Sequence, residues 1–131
     1  MDLYDMSHFY KVIDFTVKTF GAIHHLVNCA GIYPSKPALE ISEKDWEAVL
    51  NLKAPFFLSK AVAEYFIKEK IAGSVTNSAP TAARMGRPGV AAYSSSKARL
   101  VMLTRVLALN GQPMGSVSMP SVRDWWKPKR F

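Results

Sequence analysis

The stretch that decides the fold is FGAIHHLVNCAG, residues 20–31. Its centre, residues 23–28, is a short and mostly apolar run, and three small residues follow it: Cys29, Ala30 and Gly31. A short apolar run bounded by turn residues is typical of a buried strand. We therefore predict a buried strand over residues 23–28 that runs into a loop at its carboxyl end.

A helix is predicted before this strand. Between residues 5 and 20 apolar side chains recur at the spacing of one helix face: Phe9, Val12, Ile13, Val17 and Phe20. Asp5 can cap the first turn, and Gly21 suits the left-handed conformation that ends many helices. The segment is therefore expected to end in a turn directly before the strand.

A longer helix is predicted after the strand. Residues 32–41 contain two prolines and are expected to form a loop. Ser42 and Asp45 then have the spacing of a capping box, which marks the start of a helix. The helical pattern continues to about residue 70, and Pro55 should bend or interrupt it.

A second strand and a third helix complete the alternation. Residues 73–78, GSVTNS, are rich in strand formers, and apolar spacing predicts a helix over residues 91–109, which an asparagine-glycine pair closes. Strands that alternate with helices predict a parallel sheet in an α/β fold. Ligands of such sheets bind beyond the carboxyl ends of the strands, where Asn28 and residues 77–81 lie.

The composition is that of a soluble globular protein. The 131 residues suit one domain, and 49% of them are apolar and 21% charged. Apolar runs stop well before the length of about 18 residues that a membrane span needs, and the first residues lack the order of a secretory signal. The single cysteine, Cys29, cannot form an internal disulfide. We therefore expect a cytoplasmic protein without a membrane partner, and Cys29 as a buried structural thiol.

The formal net charge of +7 raises nucleic acid as an alternative partner. Basic and aromatic residues alternate in RDWWKPKRF, residues 123–131, an arrangement that could bind nucleic acid or an anionic surface. No recognised binding module surrounds the segment, so a solvated terminus is the favoured interpretation. His24 and His25 invite a metal site, but neighbours on a strand point to opposite faces, and we expect no metal.

Tyr93 and Lys97 stand four residues apart in AAYSSSKARL, residues 91–100. On a helix this spacing places both side chains on one face, about 5–6 Å apart, so they can point into the same cleft. A nearby ammonium lowers the pKa of a phenol from about 10 towards neutral pH, which suits a general acid or base. Taken alone, such a pair is more often a packed aromatic ring and a solvated lysine.

The order of the motifs resembles the short-chain dehydrogenase/reductase family. Residues 93–97 match the family's YxxxK pattern, and residues 28–31 match its NNAG turn, with cysteine in place of the second asparagine. Asn51 matches the helix asparagine that holds a water in the family's proton relay, and Asp2 matches the first residue of its DVTD segment. The resemblance covers about residues 2–109.

This resemblance implies an oxidoreductase that interconverts small carbonyl compounds and alcohols by hydride transfer, with NAD or NADP as cofactor. The implied fold is α/β, a partial Rossmann-like three-layer fold with a parallel sheet that lacks the first βαβ unit. It would occupy residues 1–110, and residues 111–131 would form a divergent basic and aromatic tail. The implied catalytic residues are Tyr93, Lys97, Asn51 and Thr81. The residues expected to contact the cofactor are Asn28, Ala30, Gly31, Asp2 and Lys97.

Three departures from the family pattern bear on activity. Pro80 stands where the family has a serine that stabilises the substrate oxygen, and proline has neither hydroxyl nor backbone N–H. The nearest hydroxyls belong to Ser78 and Thr81, and either could substitute if the loop shifts by a residue; Thr81 is the one assigned to the site. No glycine-rich TGxxxGxG turn is present to bind the pyrophosphate, so the chain is expected to be truncated at its start. Beyond the last helix the family pattern is not matched, and residues 115–121, GSVSMPS, are expected to form a short strand and loop.

Two functional classes remain open. One is an oxidoreductase, impaired or inactive as a truncated chain. The other is a non-catalytic relative that binds proteins through exposed helices, which Pro80 and the missing glycine turn favour. In either class a shortened sheet should expose strand edges and apolar helix faces. We therefore expect a homo-oligomer or association with a family member, through the helices predicted at residues 43–70 and 91–109.

Overall fold

A computed structural model describes residues 5, 7–50, 52–80, 83–111 and 117–118. Helices and strands alternate along these residues, as predicted. In chain order they are α1 (Ser7–Phe20), β1 (His25–Asn28), a short 3-10 turn (Ala38–Glu40), α2 (Glu43–Val49), α3 (Lys53–Glu69), β2 (Gly73–Asn77), α4 (Ala91–Gly111) and β3 (Val117–Ser118).

The strands form one parallel sheet in the order β1-β2-β3. His25 is opposite Ser74 and Asn28 is opposite Asn77, so β1 and β2 end at the same edge of the sheet. β3 pairs with the start of β2. The parallel α/β fold and the short strand within residues 115–121 are therefore confirmed. The expected division of the chain at residue 110 stays a prediction, because only residues 117–118 are described beyond 111.

The described helices pack against one face of β2. Side chains two residues apart on a strand share a face, so Gly73, Val75 and Asn77 point the same way. Val75 lies in a buried cluster with α1 and α3, and Asn77 donates a hydrogen bond to Thr104 of α4. The opposite face of the sheet carries Val27, which is 54% exposed. The helices thus bury one face of β2, including Asn77 at its carboxyl end.

Local signals fix both ends of α1. The carboxylate of Asp5 accepts a hydrogen bond from the backbone N–H of Ser7 at 2.9 Å, which satisfies a free donor of the first turn. Gly21 follows the helix with φ of +89°, a conformation that glycine adopts without strain. The predicted cap and stop are both confirmed.

The helix predicted from the capping box to residue 70 is two helices. The box is present: the hydroxyl of Ser42 accepts from the N–H of Asp45, and the Asp45 carboxylate accepts from the N–H of Ser42, both at 3.2 Å. The break lies between Val49 and Lys53, ahead of Pro55. Pro55 occupies the first turn of α3, where its missing N–H has no helical acceptor to lose. The interruption was predicted, but its position was not.

A close contact between α3 and β2 anchors the core. Phe66 is fully buried, with 0% of its surface exposed, beside Val75 and Val62. A Cβ atom on Gly73 would lie 2.3 Å from the Phe66 ring, far inside van der Waals contact. The first position of β2 therefore has no room for a side chain.

Candidate active site

A chain of side-chain hydrogen bonds crosses the carboxyl edge of the sheet. The Asn28 amide donates to the Ser59 hydroxyl at 3.0 Å and to the side-chain oxygen of Asn77 at 2.8 Å. The Asn77 amide donates to the Thr104 hydroxyl at 2.9 Å, and that hydroxyl donates to the Leu100 carbonyl at 2.7 Å. Ser59, Asn77 and Thr104 are all buried. This network joins α3, β1, β2 and α4 where the two strands end.

Asn28 has a structural role at the edge of the candidate site. Both N–H groups of its amide are engaged within the network, and its backbone carbonyl accepts the N–H of Ser78 at 2.9 Å. A half-buried side-chain amide whose N–H groups are both hydrogen-bonded holds the backbone around it in place. The loop that starts at Cys29 thus leaves a rigid edge of the sheet.

That loop passes directly beside Lys97. A Cβ atom on Gly31 would lie 3.2 Å from the Lys97 ammonium nitrogen and 3.8 Å from its Cε. The absence of a side chain at residue 31 lets the half-buried lysine rest against the loop backbone. The small residues were predicted to let a bound cofactor approach the backbone closely. In the structure it is the Lys97 side chain that approaches the backbone at Gly31.

Tyr93 and Lys97 lie on one face of the first turns of α4. The Lys97 ammonium nitrogen is 5.8 Å from the centroid of the Tyr93 ring. Both side chains line a cavity of about 270 Å³ together with Ser78 and Pro80 from the end of β2 and Cys29 from the end of β1. The spacing in the sequence therefore brings the phenol and the amine to the same cavity, as predicted.

The predicted acidification of Tyr93 is wrong. Burial raises the pKa of the Tyr93 phenol above its ordinary value, and the neighbouring Tyr33 and Cys29 raise it further. Burial also lowers the pKa of Lys97, whose ammonium nitrogen is 5.8 Å from the centroid of the Tyr93 ring. The phenol of Tyr93 is thus neutral at pH 7 and can donate a proton.

A second, larger cavity lies on the other side of the same loop. Its volume is about 380 Å³, and it shares Cys29, Gly31, Ile32 and Lys97 with the smaller cavity. Its remaining walls come mainly from apolar side chains of α2, α3 and α4, among them Val49, Leu58 and Leu100. Ala30 lines this larger cavity only. Lys97 therefore stands in the wall common to both spaces.

The smaller cavity has one hydroxyl close to Pro80. Ser78 lies two residues before Pro80, and in extended backbone such residues point to the same side. Both contribute to the cavity wall that contains Tyr93. Pro80 itself supplies no hydrogen-bond donor there. Asp2, Asn51 and Thr81, which the sequence assigned to the site, lie outside the described residues, and their roles stay predictions.

Sequence reasoning misjudged Cys29 and missed Tyr33. Cys29 was expected to be a buried structural thiol, but it is exposed and lines both cavities. The ring centroid of Tyr33 is 4.5 Å from that of Tyr93, with the planes at 85°. No spacing rule predicts this contact, because it joins a loop to a helix sixty residues later. In the described part of the chain, no group of three or more His, Cys, Asp or Glu side chains could hold a metal ion.

Comparison with known proteins decides the family. The sequence pattern of the family described as short chain dehydrogenase matches residues 1–123. The chain belongs to the short-chain dehydrogenase family. The resemblance seen in the motifs is therefore confirmed. A search of the described helices finds none that is long and apolar enough to cross a membrane.

Individual members of the short-chain dehydrogenase family match most of this chain. The 2-dehydro-3-deoxy-D-gluconate 5-dehydrogenase of Dickeya dadantii is 38% identical over 109 residues, which are 82% of this chain and 43% of that protein. The galactitol 2-dehydrogenase of Agrobacterium fabrum is 35% identical over 111 residues, 83% of this chain and 43% of that protein. The chain thus spans less than half the length of these relatives.

Solved structures of the family have the same fold. A short chain dehydrogenase from Bacillus anthracis superposes with a TM-score of 0.81 at 31% identity, over 88% of this chain and 49% of that one. A 4-hydroxyisoleucine dehydrogenase complexed with NADH and succinate superposes with a TM-score of 0.77 at 30% identity, over 89% of this chain and 55% of that one. The Rossmann-like α/β fold predicted from the sequence is confirmed.

Proposed function

We propose that the chain carries the proton-transfer part of an oxidoreductase that interconverts a small carbonyl compound and its alcohol, with NAD or NADP as cofactor. The observation that supports this most strongly is the placement of Tyr93 and Lys97. Both line one cavity at the carboxyl edge of the parallel sheet, beside the small residues Cys29 and Gly31 that follow β1. Ligands of such sheets bind at this edge.

The residues around Lys97 fit a nicotinamide cofactor. The Ala30–Gly31 backbone is free of side chains that would block approach, and the cavities on either side of Lys97 open at the same loop. Asn28, Ala30, Gly31 and Lys97 would hold the nicotinamide end, and Asp2 the adenine end. The 4-hydroxyisoleucine dehydrogenase named above binds NADH with a related fold. A bound nicotinamide supplies the hydride in this chemistry.

The protein's own contribution would be a proton and its orientation. The Tyr93 phenol is protonated at pH 7, so its hydroxyl can give a proton to a carbonyl oxygen in the smaller cavity. The Ser78 hydroxyl, in the same wall, could donate a hydrogen bond to that oxygen in place of the group that Pro80 lacks. Lys97 would place its ammonium between the phenol and the cofactor-binding loop.

Cofactor binding tests this function directly. Native protein is titrated with NADH and with NADPH, and fluorescence reports saturation. Replacing Lys97 by methionine should weaken binding about 10- to 100-fold, because a hydrogen bond from a charged group is lost. Lys18→Met, at the end of α1 and away from both cavities, serves as the matched control. A native protein that shows no saturable signal up to millimolar dinucleotide would refute the cofactor assignment.

An exposed apolar stripe on α4 supports association of two copies. Met102, Val106 and Leu109 recur at the spacing of one helix face and are 56%, 46% and 65% exposed. Such a stripe is typical of a protein interface, whether the chain is an enzyme or only an interaction partner of its family. We propose a homo-oligomer through α4. Sedimentation should show that Leu109→Lys shifts the protein towards monomer, while Phe15→Lys on α1 does not; a monomeric native protein would contradict the proposal.

A further inference from the structure

A second phenol meets Tyr93 at the mouth of the smaller cavity. The rings of Tyr33 and Tyr93 are in an edge-to-face arrangement with centroids 4.5 Å apart, and both line the cavity with Pro80. Aromatic pairs favour this geometry because the positive edge of one ring meets the negative face of the other. Tyr33 itself is 58% exposed, so it lies at the solvent side of the pair.

The loop that carries Tyr33 is tied down at Lys36. The backbone N–H of Lys36 donates to the Gly89 carbonyl at 2.9 Å, and its ammonium contacts the Asp45 carboxylate at 2.7 Å. Gly89 lies two residues before α4, and Asp45 belongs to the capping box that opens α2. The loop is therefore fixed to the starts of two helices, one of which carries Tyr93.

Gly89 leaves room for this attachment. Its φ is +77°, and a Cβ atom there would lie 3.1 Å from the Ser35 hydroxyl oxygen. The two loops thus approach each other more closely than a larger residue would allow. Three separate features hold the loop in place: a backbone hydrogen bond, an ion pair and a tight approach at a glycine.

We propose that Tyr33 is a positioning residue for Tyr93, holding its ring in the edge-to-face contact so that the hydroxyl points to one place in the cavity. The inference rests on the proposed function, in which Tyr93 transfers the proton. Among the described residues Tyr33 makes no hydrogen bond, and its ring contact is with Tyr93. The ring, rather than the Tyr33 hydroxyl, does the positioning.

Two variants separate the ring from the hydroxyl. Tyr33→Phe keeps the edge-to-face contact, whereas Tyr33→Leu removes it. In a turnover assay with reduced dinucleotide and a ketone, Tyr33→Leu should lower kcat about 2- to 10-fold, which is the worth of an aromatic pair, with little change in KM for the dinucleotide. Tyr33→Phe should retain native kcat. Tyr10→Phe, on the exposed side of α1, is the matched control.

Ring-proton NMR tests the placement without any turnover. Native protein should show cross-peaks between the rings of Tyr33 and Tyr93, and Tyr33→Leu should shift the Tyr93 ring signals where Tyr10→Phe leaves them unchanged. Missing cross-peaks, or an unchanged kcat in Tyr33→Leu, would overturn the inference. A native protein that binds no dinucleotide but shows the cross-peaks and the shift would refute the proposed function and still support the positioning of Tyr93.

Discussion

Replacing Asn77 by leucine should destabilise the protein and loosen the edge of the sheet that carries the site. Asn77 is 1% exposed and makes two side-chain hydrogen bonds, accepting from Asn28 and donating to Thr104. Leucine has similar bulk but no polar atom, so both bonds are lost. The Thr104 hydroxyl keeps its bond to a backbone carbonyl, while one N–H of Asn28 is left without its partner.

The magnitude follows from these losses. Because Asn28 is half-buried, its unsatisfied N–H costs about 1–2 kcal/mol, the lower part of the range for a buried donor, and the lost bond to Thr104 adds about 0.5–1.5 kcal/mol. The sum, roughly 1.5–3.5 kcal/mol in the free energy of unfolding, corresponds to a fall of roughly 5–18 °C in Tm for a chain of this size. Since a native domain is stable by only about 5–15 kcal/mol, the effect is large.

Urea and thermal unfolding of a double-mutant cycle measure the effect. Asn28→Ala, Asn77→Ala and the double variant should show a coupling free energy of about 0.5–3 kcal/mol, because the two side chains share a bond. Glu47→Gln, exposed on α2 and outside the network, should change stability by less than about 0.5 kcal/mol. Additive effects of Asn28→Ala and Asn77→Ala would refute the network as a cooperative unit.

Three further predictions concern the core, the cofactor loop and an ion pair. Gly73→Ala should lower stability by about 1–3 kcal/mol in urea unfolding, because its Cβ would lie 2.3 Å from the Phe66 ring, and Phe66→Leu in the same chain should cancel part of that loss. Gly31→Ala, whose methyl group would lie 3.2 Å from an ammonium nitrogen, should weaken NADH binding in a fluorescence titration with little change in Tm. The pKa of Asp45 is lowered to about 2 by Lys36 and the capping serine. Because this folded pKa lies below the ordinary value, the contribution of the pair is present above about pH 4 and is lost as the pH falls towards 2; carboxyl NMR should show the low midpoint, and Lys36→Met should raise it.

Sequence patterns that involve only a few neighbouring residues predicted the helices and strands well. The capping box at Ser42, the glycine stop at Gly21 and the strand before Cys29 depend on neighbours in the chain, and each is present in the structure. The strand is shorter than predicted, and the expectation that it is buried is wrong, because its residues are exposed or half-exposed. The placement of Tyr93 and Lys97 in one cavity also follows from a local rule, the spacing of a helix face.

Properties that depend on distant parts of the chain were not predictable. The raised pKa of Tyr93 comes from burial and from Tyr33, which reaches it across a loop. The exposure of Cys29 depends on the cavities that α3 and α4 leave on either side of it. The sequence predicted that Pro55 interrupts the helix, but the break between α2 and α3 lies before Pro55. Proline is accommodated in the first turn of a helix, so Pro55 belongs to α3. The first two outcomes are set by tertiary packing, and the third by a local property of proline.

The most direct test of the account is turnover by Tyr93→Phe. Native protein and this variant are compared for consumption of NADH or NADPH with a panel of aldehydes and ketones, with Tyr10→Phe as control. Removing a general acid should lower kcat by about 100- to 10,000-fold while dinucleotide binding stays intact. A Tyr93→Phe variant that turns over within twofold of a measurably active native protein would contradict the proton-donor role.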